Sequence, residues 1–505
     1  MLMSKLSISS KILSAVRSEI FFKLTIAYFA LQAGWLAFTA QYPMAYDEEF
    51  HFNVMRLYAE RLHPFWTATP TGSSTYGAIS RDPSYMYHFV MSFPLRLFEQ
   101  FVHTERYQIL FLRFCSIAFF IVGLWLFRKV LRRANVSKAL SNVVIVMVAA
   151  TPLVPFLAAQ MNYDNLIFLL LPAAILQLQT VLAKLKESHK LDLRSFLYWC
   201  LISMFASLVK YAFLPVLLAM GLTLVFYYFR QGPKTWKLRS KNIRSDWQKI
   251  GTRTRIVLAT LFVILFGLCF ERYGVNTIRY HTPVPECDQV LSINECLDFG
   301  PWRRNYYTRN SKLSGQLVPE NITFGQFALR KWLSQTTYHL FYSLDGPRDG
   351  YQLARAYRVN RESSVIIFIA GVVFYVAQFT YLRKHYKLGV LLLLALLYLF
   401  VLLLQNYSDF RHLGYPFGIQ GRYLIPMLPI IYSVIGVSYA GILRRLPRAK
   451  LALGVIAMMV IITQAGGAST YILRSDSTWY WVGDNSVLQM NNAAKRVIRP
   501  FVIGN

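Results

Sequence analysis

Apolar runs of near-bilayer length recur along this chain and limit its fold more than any other feature. A run of about 18 or more apolar residues reads as a transmembrane helix, because about 20 residues cross the hydrocarbon core and a helix satisfies its own backbone polar groups. Such runs fall near 21–40, 107–127, 139–159, 165–183, 196–211, 212–229, 256–272, 364–382, 388–405, 423–442 and 451–471. They predict an all-α polytopic membrane protein with about eleven transmembrane helices. Hydrophobic residues make up 55% of the 505, and a single soluble core stops growing well below that length. The basic N-terminus (Lys5, Lys11, Arg17, Lys23) leads into an apolar run too long for a signal peptide. No Ala-x-Ala site precedes Gln41, so the first run reads as a retained helix.

Charge then sets an orientation. Lys and Arg number 54 against 24 Asp and Glu, a formal charge of +30. The cations lie mostly between the spans, as the positive-inside bias places them, so membrane lipid rather than nucleic acid is the expected contact. With the N-terminus cytoplasmic, the segments 128–138, 184–195, 230–255, 383–387 and 444–450 fall inside, and each is basic. The segments 41–106, 160–164, 273–363, 406–421 and the tail from Leu473 fall outside and carry nearly all the acids. The expected location is a plasma (inner) membrane with the functional face extracytoplasmic.

Two outside loops are long. In the first, 48–63 has helical periodicity and reads as an amphipathic helix, and 85–101 is aromatic and amphipathic and reads as a helix lying on the membrane surface. The second, 273–363, reads as a small extracytoplasmic lid. It holds Cys287 and Cys296, which can pair if the compartment is oxidising. Cys115, Cys200 and Cys269 sit in apolar spans and read as inert.

The acids concentrate in Asp47-Glu48-Glu49, just past the first span, with His51 one turn on. Asp47 and His51 share a helical face, and a carboxylate there can serve as a general base or help hold a divalent cation. Helix capping explains one or two of these acids, though not three and a histidine. Asp82 is a second acid in the loop and equally an ordinary Asp-Pro turn former. Asn162 and Asp164 stand at the outer end of a helix pair, as cavity rim or plain turn. Lys210 stands at another outer end, where it can meet a lipid phosphate or snorkel. Gly418-Ile419-Gln420-Gly421-Arg422-Tyr423 opens a late span from outside, with Arg411 and His412 upstream. An arginine at a helix mouth is a good anion site.

Asp47-Glu48…His51 together with Gly418-x-Gln-Gly-Arg-Tyr-x-x-Pro426 resembles a bacterial branch of the GT-C superfamily of membrane glycosyltransferases, over roughly residues 20–440. The resemblance implies a polyprenyl-phosphate sugar donor, inversion at the anomeric carbon, and a cell-envelope glycan, lipid or protein acceptor. It implies Asp47 as the catalytic carboxylate, although Glu48 competes for that role, with His51 and Asp82 nearby. Arg422 becomes a donor-phosphate contact, helped by Lys210, Arg411 and Gln420. Asp164, Asn162 and Tyr423 fall on the cavity rim. The sequence leaves metal dependence unknown. A transporter or flippase of a lipid-linked saccharide is the alternative. That reading prefers ionisable groups near mid-span, where Arg113 is the main one. A non-catalytic envelope assembly protein is a third.

Overall fold

A computed structural model of the protein describes residues 11–188, 191–230, 246–341, 386–442 and 467–502, with Leu344, Val373 and Ala377 besides. It is helical, and the described residues contain no strand. Seven helical stretches are long and apolar enough to cross a membrane: Glu19–Thr39, Glu105–Arg133, Tyr163–Glu187, Tyr211–Phe229, Thr252–Tyr280, Lys387–Leu413 and Gly421–Gly441. The expected spans at 364–382 and 451–471 and the basic segments 230–255, 383–387 and 444–450 lie wholly or mostly outside the described residues.

The helices used below are α1 (Glu19–Thr39), α2 (Glu48–Ala59), α3 (Met86–Glu99), α4 (Glu105–Arg133), α5 (Lys138–Ala150), α6 (Leu153–Ala158) and α7 (Tyr163–Ser188). They continue with α8 (Leu193–Val209), α9 (Leu214–Phe229), α10 (Thr252–Tyr280), α11 (Gly300–Leu313), α12 (Ser334–Phe341), α13 (Tyr386–Leu413) and α14 (Leu428–Ile442). Pairwise packing runs α1 to α4, α4 to α7, α7 to α9, α9 to α13, α13 to α14, α14 to α5 and α5 back to α1, which closes a ring. Helix α8 lies on α7, and α10 lies on α8. The span Gly421–Gly441 is mostly buried and α10 mostly exposed, so the former is central and the latter peripheral. Close ring stacking holds these faces together, as where Phe120 of α4 lies 3.8 Å from Phe168 of α7.

The expected single span at 139–159 is broken. Helix α5 ends at Ala150 and α6 begins at Leu153. Pro152 brings no N–H and disfavours helical backbone at Thr151, which is extended with ψ 125°. The two expected amphipathic helices of the first loop are present as α2 and α3.

The acid-rich segments gather at one end of the bundle. Asn162 donates to the Tyr46 carbonyl, Arg106 pairs with Asp484, and Ser74 donates to Asp298. The far end holds Arg128 and Lys138, both paired with Glu19. Within the second long loop, Cys287 and Cys296 form a disulfide with α-carbons 5.8 Å apart. Helix α10 runs on to Tyr280 through a π turn at Phe270–Gly274. That turn places Arg272 fully inside, where it donates to the Ser80 carbonyl and lies over Phe65 and Tyr85. Arg81 pairs with Glu271 from the other direction. The loop carrying Asp82 is thereby pinned to α10.

Candidate active site at the acid-rich end

The site begins where α1 ends. Between Ala40 and α2 the chain turns sharply, and Tyr46 and Asp47 both adopt left-handed backbone, φ 69° and 72°. Such residues cost roughly 1–3 kcal/mol each and persist only where the surroundings hold them. Here the Tyr46 carbonyl accepts from Asn162 Nδ2 and from Arg422 Nη1, both at 3.0 Å. The turn leaves the Asp47 side chain half exposed, making no capping bond to α2. Its carboxylate instead accepts from Arg422 Nη2 at 2.8 Å. Capping therefore does not account for Asp47. The exposed Glu49, in the first turn of α2, keeps the helix-dipole explanation.

Glu48 points the opposite way. It is fully buried, and Arg113 Nε and Nη2 grip its two oxygens at 2.8 and 2.7 Å. The backbone amides of Met44 and Met161 donate to the same carboxylate. Arg113, also fully buried, gives its remaining Nη1 to the carbonyls of Ala37 and Ala40. With four donors on two oxygens, Glu48 has no open lone pair for a substrate proton. The expectation that it competes with Asp47 as base is corrected: it ties α1, α2 and α4 together. Arg113, expected near mid-span, instead stands beside the end of α1 and is its counter-ion.

Arg422 stands in a 3-10 turn, Gly421–Met427, rather than at the first turn of an α-helix. Gly418 takes φ +72°, and a β-carbon at Gly421 would come 2.5 Å from the Leu340 amide of α12. Glycines at these two positions let the segment turn and then press against α12, which delivers Arg422 to Asp47. Lys210 reaches the same place because α8 ends there in extended backbone, φ −154° and ψ 121°. Its ammonium pairs with Asp164 at 2.5 Å, both side chains buried. It lies 4.3 Å from the Tyr163 ring and 4.8 Å from the Tyr423 ring, and Arg422 lies 5.2 Å from the same Tyr423 ring. Tyr423 thus joins the two cations. Asp47, Asn162, Asp164, Lys210, Arg422 and Tyr423 form one cluster.

His51 belongs to its buried wall. Its Nδ1 shares a 2.8 Å hydrogen bond with Nε2 of His88, and its ring meets Tyr163 edge-on at 4.6 Å. Burial pulls the pKa of His51 well below the usual value, and the cations Arg422 and Lys210 add to this. Burial likewise brings His88 down to about 3. Both imidazoles are neutral near pH 7. Their role is to fix Tyr163 and the floor of the cluster. In the sequence His88 is one of many rings in the aromatic helix α3, and only its partner marks it out.

Two expected members, Asp82 and Arg411, stand apart. Asp82, pinned by the Ser84 amide at 2.8 Å and raised in pKa by burial, lines a neighbouring cleft of about 610 Å³. Phe50, Tyr211, Trp302, Asp409 and His412 line that cleft, and neither Asp47 nor Arg422 does. Arg411 is exposed on α13 and makes none of the contacts of Arg422; its carbonyl accepts from Lys312. Gln420 is half-buried with Oε1 unpartnered among the described residues. The expected convergence of Asp82 and Arg411 on Arg422 is corrected accordingly. The reason is topological: α10 draws the Asp82 loop aside. Among the described residues, no three His, Cys, Asp or Glu side chains are placed to hold a metal ion.

Comparison with known proteins finds no matching family model, curated protein or solved structure.

Proposed function

We propose that this chain is a membrane glycosyltransferase. It moves a sugar from a polyprenyl-phosphate donor to a hydroxyl of a cell-envelope glycan, lipid or protein on the extracytoplasmic face. The observation that supports this most is the Asp47–Arg422 pair, a half-exposed carboxylate beside a buried guanidinium at 2.8 Å. The acceptor oxygen attacks the anomeric carbon as the bond from that carbon to the phosphate oxygen breaks. Asp47 takes the acceptor proton, and the leaving polyprenyl phosphate keeps the electron pair. Arg422, with Lys210 behind Tyr423, faces the charge that develops on that phosphate. As the phosphate takes up Arg422, the Asp47 carboxylate is freed to act as base.

The location of the charged groups favours an enzyme over a transporter. Arg113, the charged residue expected within a span, lies beside the end of α1 and is fully enclosed by Glu48 and two carbonyls, so it offers a mid-span ligand nothing.

Arg422→Ala weakens donor use in membranes supplied with a polyprenyl-phosphate sugar. Arg422→Lys restores it only in part, because an ammonium cannot hold the Tyr46 carbonyl and an anion with one planar fork. Full rescue by lysine would reduce Arg422 to a point charge. The orientation is tested by cysteine labelling. Position 490 reacts from outside and position 240 from the cytoplasm, and finding both on one side would overturn it.

A further inference from the structure

At the end of the bundle away from Asp47, helices α4, α7, α9 and α13 part around a cavity of about 860 Å³. Its position follows from α7, which carries Asp164 near one end and Lys184 near the other. Twenty helical residues separate these by about 30 Å, the thickness of a hydrocarbon core. The walls are apolar, with Ile175 and Leu178 from α7 and Leu391 and Leu394 from α13. The rim is cationic: Arg132, Arg133, Lys184, Lys186 and Lys387 line it with one acid, Glu187, and Lys184 is paired with Asp192 just beyond. Arg133 is held at this rim by bonds from Nη1 to the Leu176 carbonyl at 3.0 Å and to Thr180 Oγ1 at 2.8 Å. Both bonds use a single nitrogen of a five-donor guanidinium.

Basic residues at a helix end need no ligand, since topology alone places them there. A cavity roofed by five cations from three helices and walled by aliphatic side chains is a more particular arrangement. Its polar mouth suits a phosphate and its interior suits an acyl chain. We infer that this cavity binds one acidic phospholipid from the adjoining leaflet, with the headgroup phosphate among Arg133, Lys186 and Lys387 and a chain along Leu178 and Leu391. The inference stands apart from the proposed sugar transfer, because the cavity lies about 30 Å from the Asp47 cluster.

The test uses the full chain purified in detergent. Native mass spectrometry follows binding of phosphatidylglycerol, with phosphatidylcholine of the same chains as the neutral control. One phosphatidylglycerol is retained per chain in clear preference to phosphatidylcholine. The double variant Lys186→Gln/Lys387→Gln weakens that binding about thirtyfold, the scale for losing two cations beside an anionic lipid. Lys186→Arg/Lys387→Arg keeps it. Equal retention of the two lipids overturns the inference without recourse to any variant. So does displacement by millimolar inorganic phosphate, which would make this a phosphate site with no place for a chain. Displacement by an equal amount of polyprenyl phosphate overturns the choice of a phospholipid, and unchanged affinity in the glutamine variant places the headgroup elsewhere.

Discussion

Asp47→Asn lowers sugar transfer by about 10²-fold or more, the usual scale for losing a general base, while the amount of folded protein is unchanged. The substitution keeps the size of the side chain and an oxygen to accept from Arg422. It removes the basicity that, on the proposed mechanism, takes the acceptor proton. Asp47 is half exposed and, among the described residues, is ion-paired with Arg422 alone, so little of the fold depends on its charge. Transfer of a radiolabelled sugar from a polyprenyl-phosphate donor, in membranes holding equal amounts of each variant, measures the effect. Retention of full activity by Asp47→Asn refutes the carboxylate mechanism. Loss of folded protein along with activity would assign Asp47 a structural role instead.

Glu48→Gln has the opposite signature. It leaves the Arg113 guanidinium buried and stripped of its counter-charge, and breaking such a pair costs about 3–5 kcal/mol. Arg113→Met strands the carboxylate and the carbonyls of Ala37 and Ala40, and falls in the same range. Thermal unfolding in detergent, or the yield of folded protein, reads this directly. The two neighbouring acids thus separate chemistry from architecture: one variant folds and does not transfer, and the other folds poorly. A stable, inactive Glu48→Gln would reverse the assignment and return Glu48 to the chemistry.

How much of the site was visible in the sequence depends on the residue. The acids at 47–49 stood out because acids are scarce and these follow a span. The segment 418–426 stood out because two glycines and an arginine open another span. That these two segments meet could be expected only from the family resemblance, since nothing local links positions 375 residues apart. Asp82 and Arg411 have the right chemistry for the same site and stand in the right loops, yet neither joins it. His88 carries no local mark at all.

Among the described residues, the sequence by itself determined where most of the long helices lie. Twenty-residue apolar runs leave the backbone little choice in hydrocarbon, and proline punctuates them, as at Pro152, where an expected span breaks. The alternation of basic and acidic segments predicts which connections share an end of the bundle, and among the described residues the acid-rich ones meet through Asn162 and Tyr46, Arg106 and Asp484, and Ser74 and Asp298. The tertiary structure alone decided which way each acid faces. Asp47 and Glu48 are adjacent, of one chemical type, and indistinguishable by composition or spacing. Left-handed backbone at Tyr46 and Asp47 turns one carboxylate toward Arg422 and the other toward Arg113. Such backbone is unfavourable locally and is held by bonds from Asn162 and Arg422, more than a hundred residues away in the chain. Local propensity cannot encode a conformation whose stabilising partners are supplied by other helices.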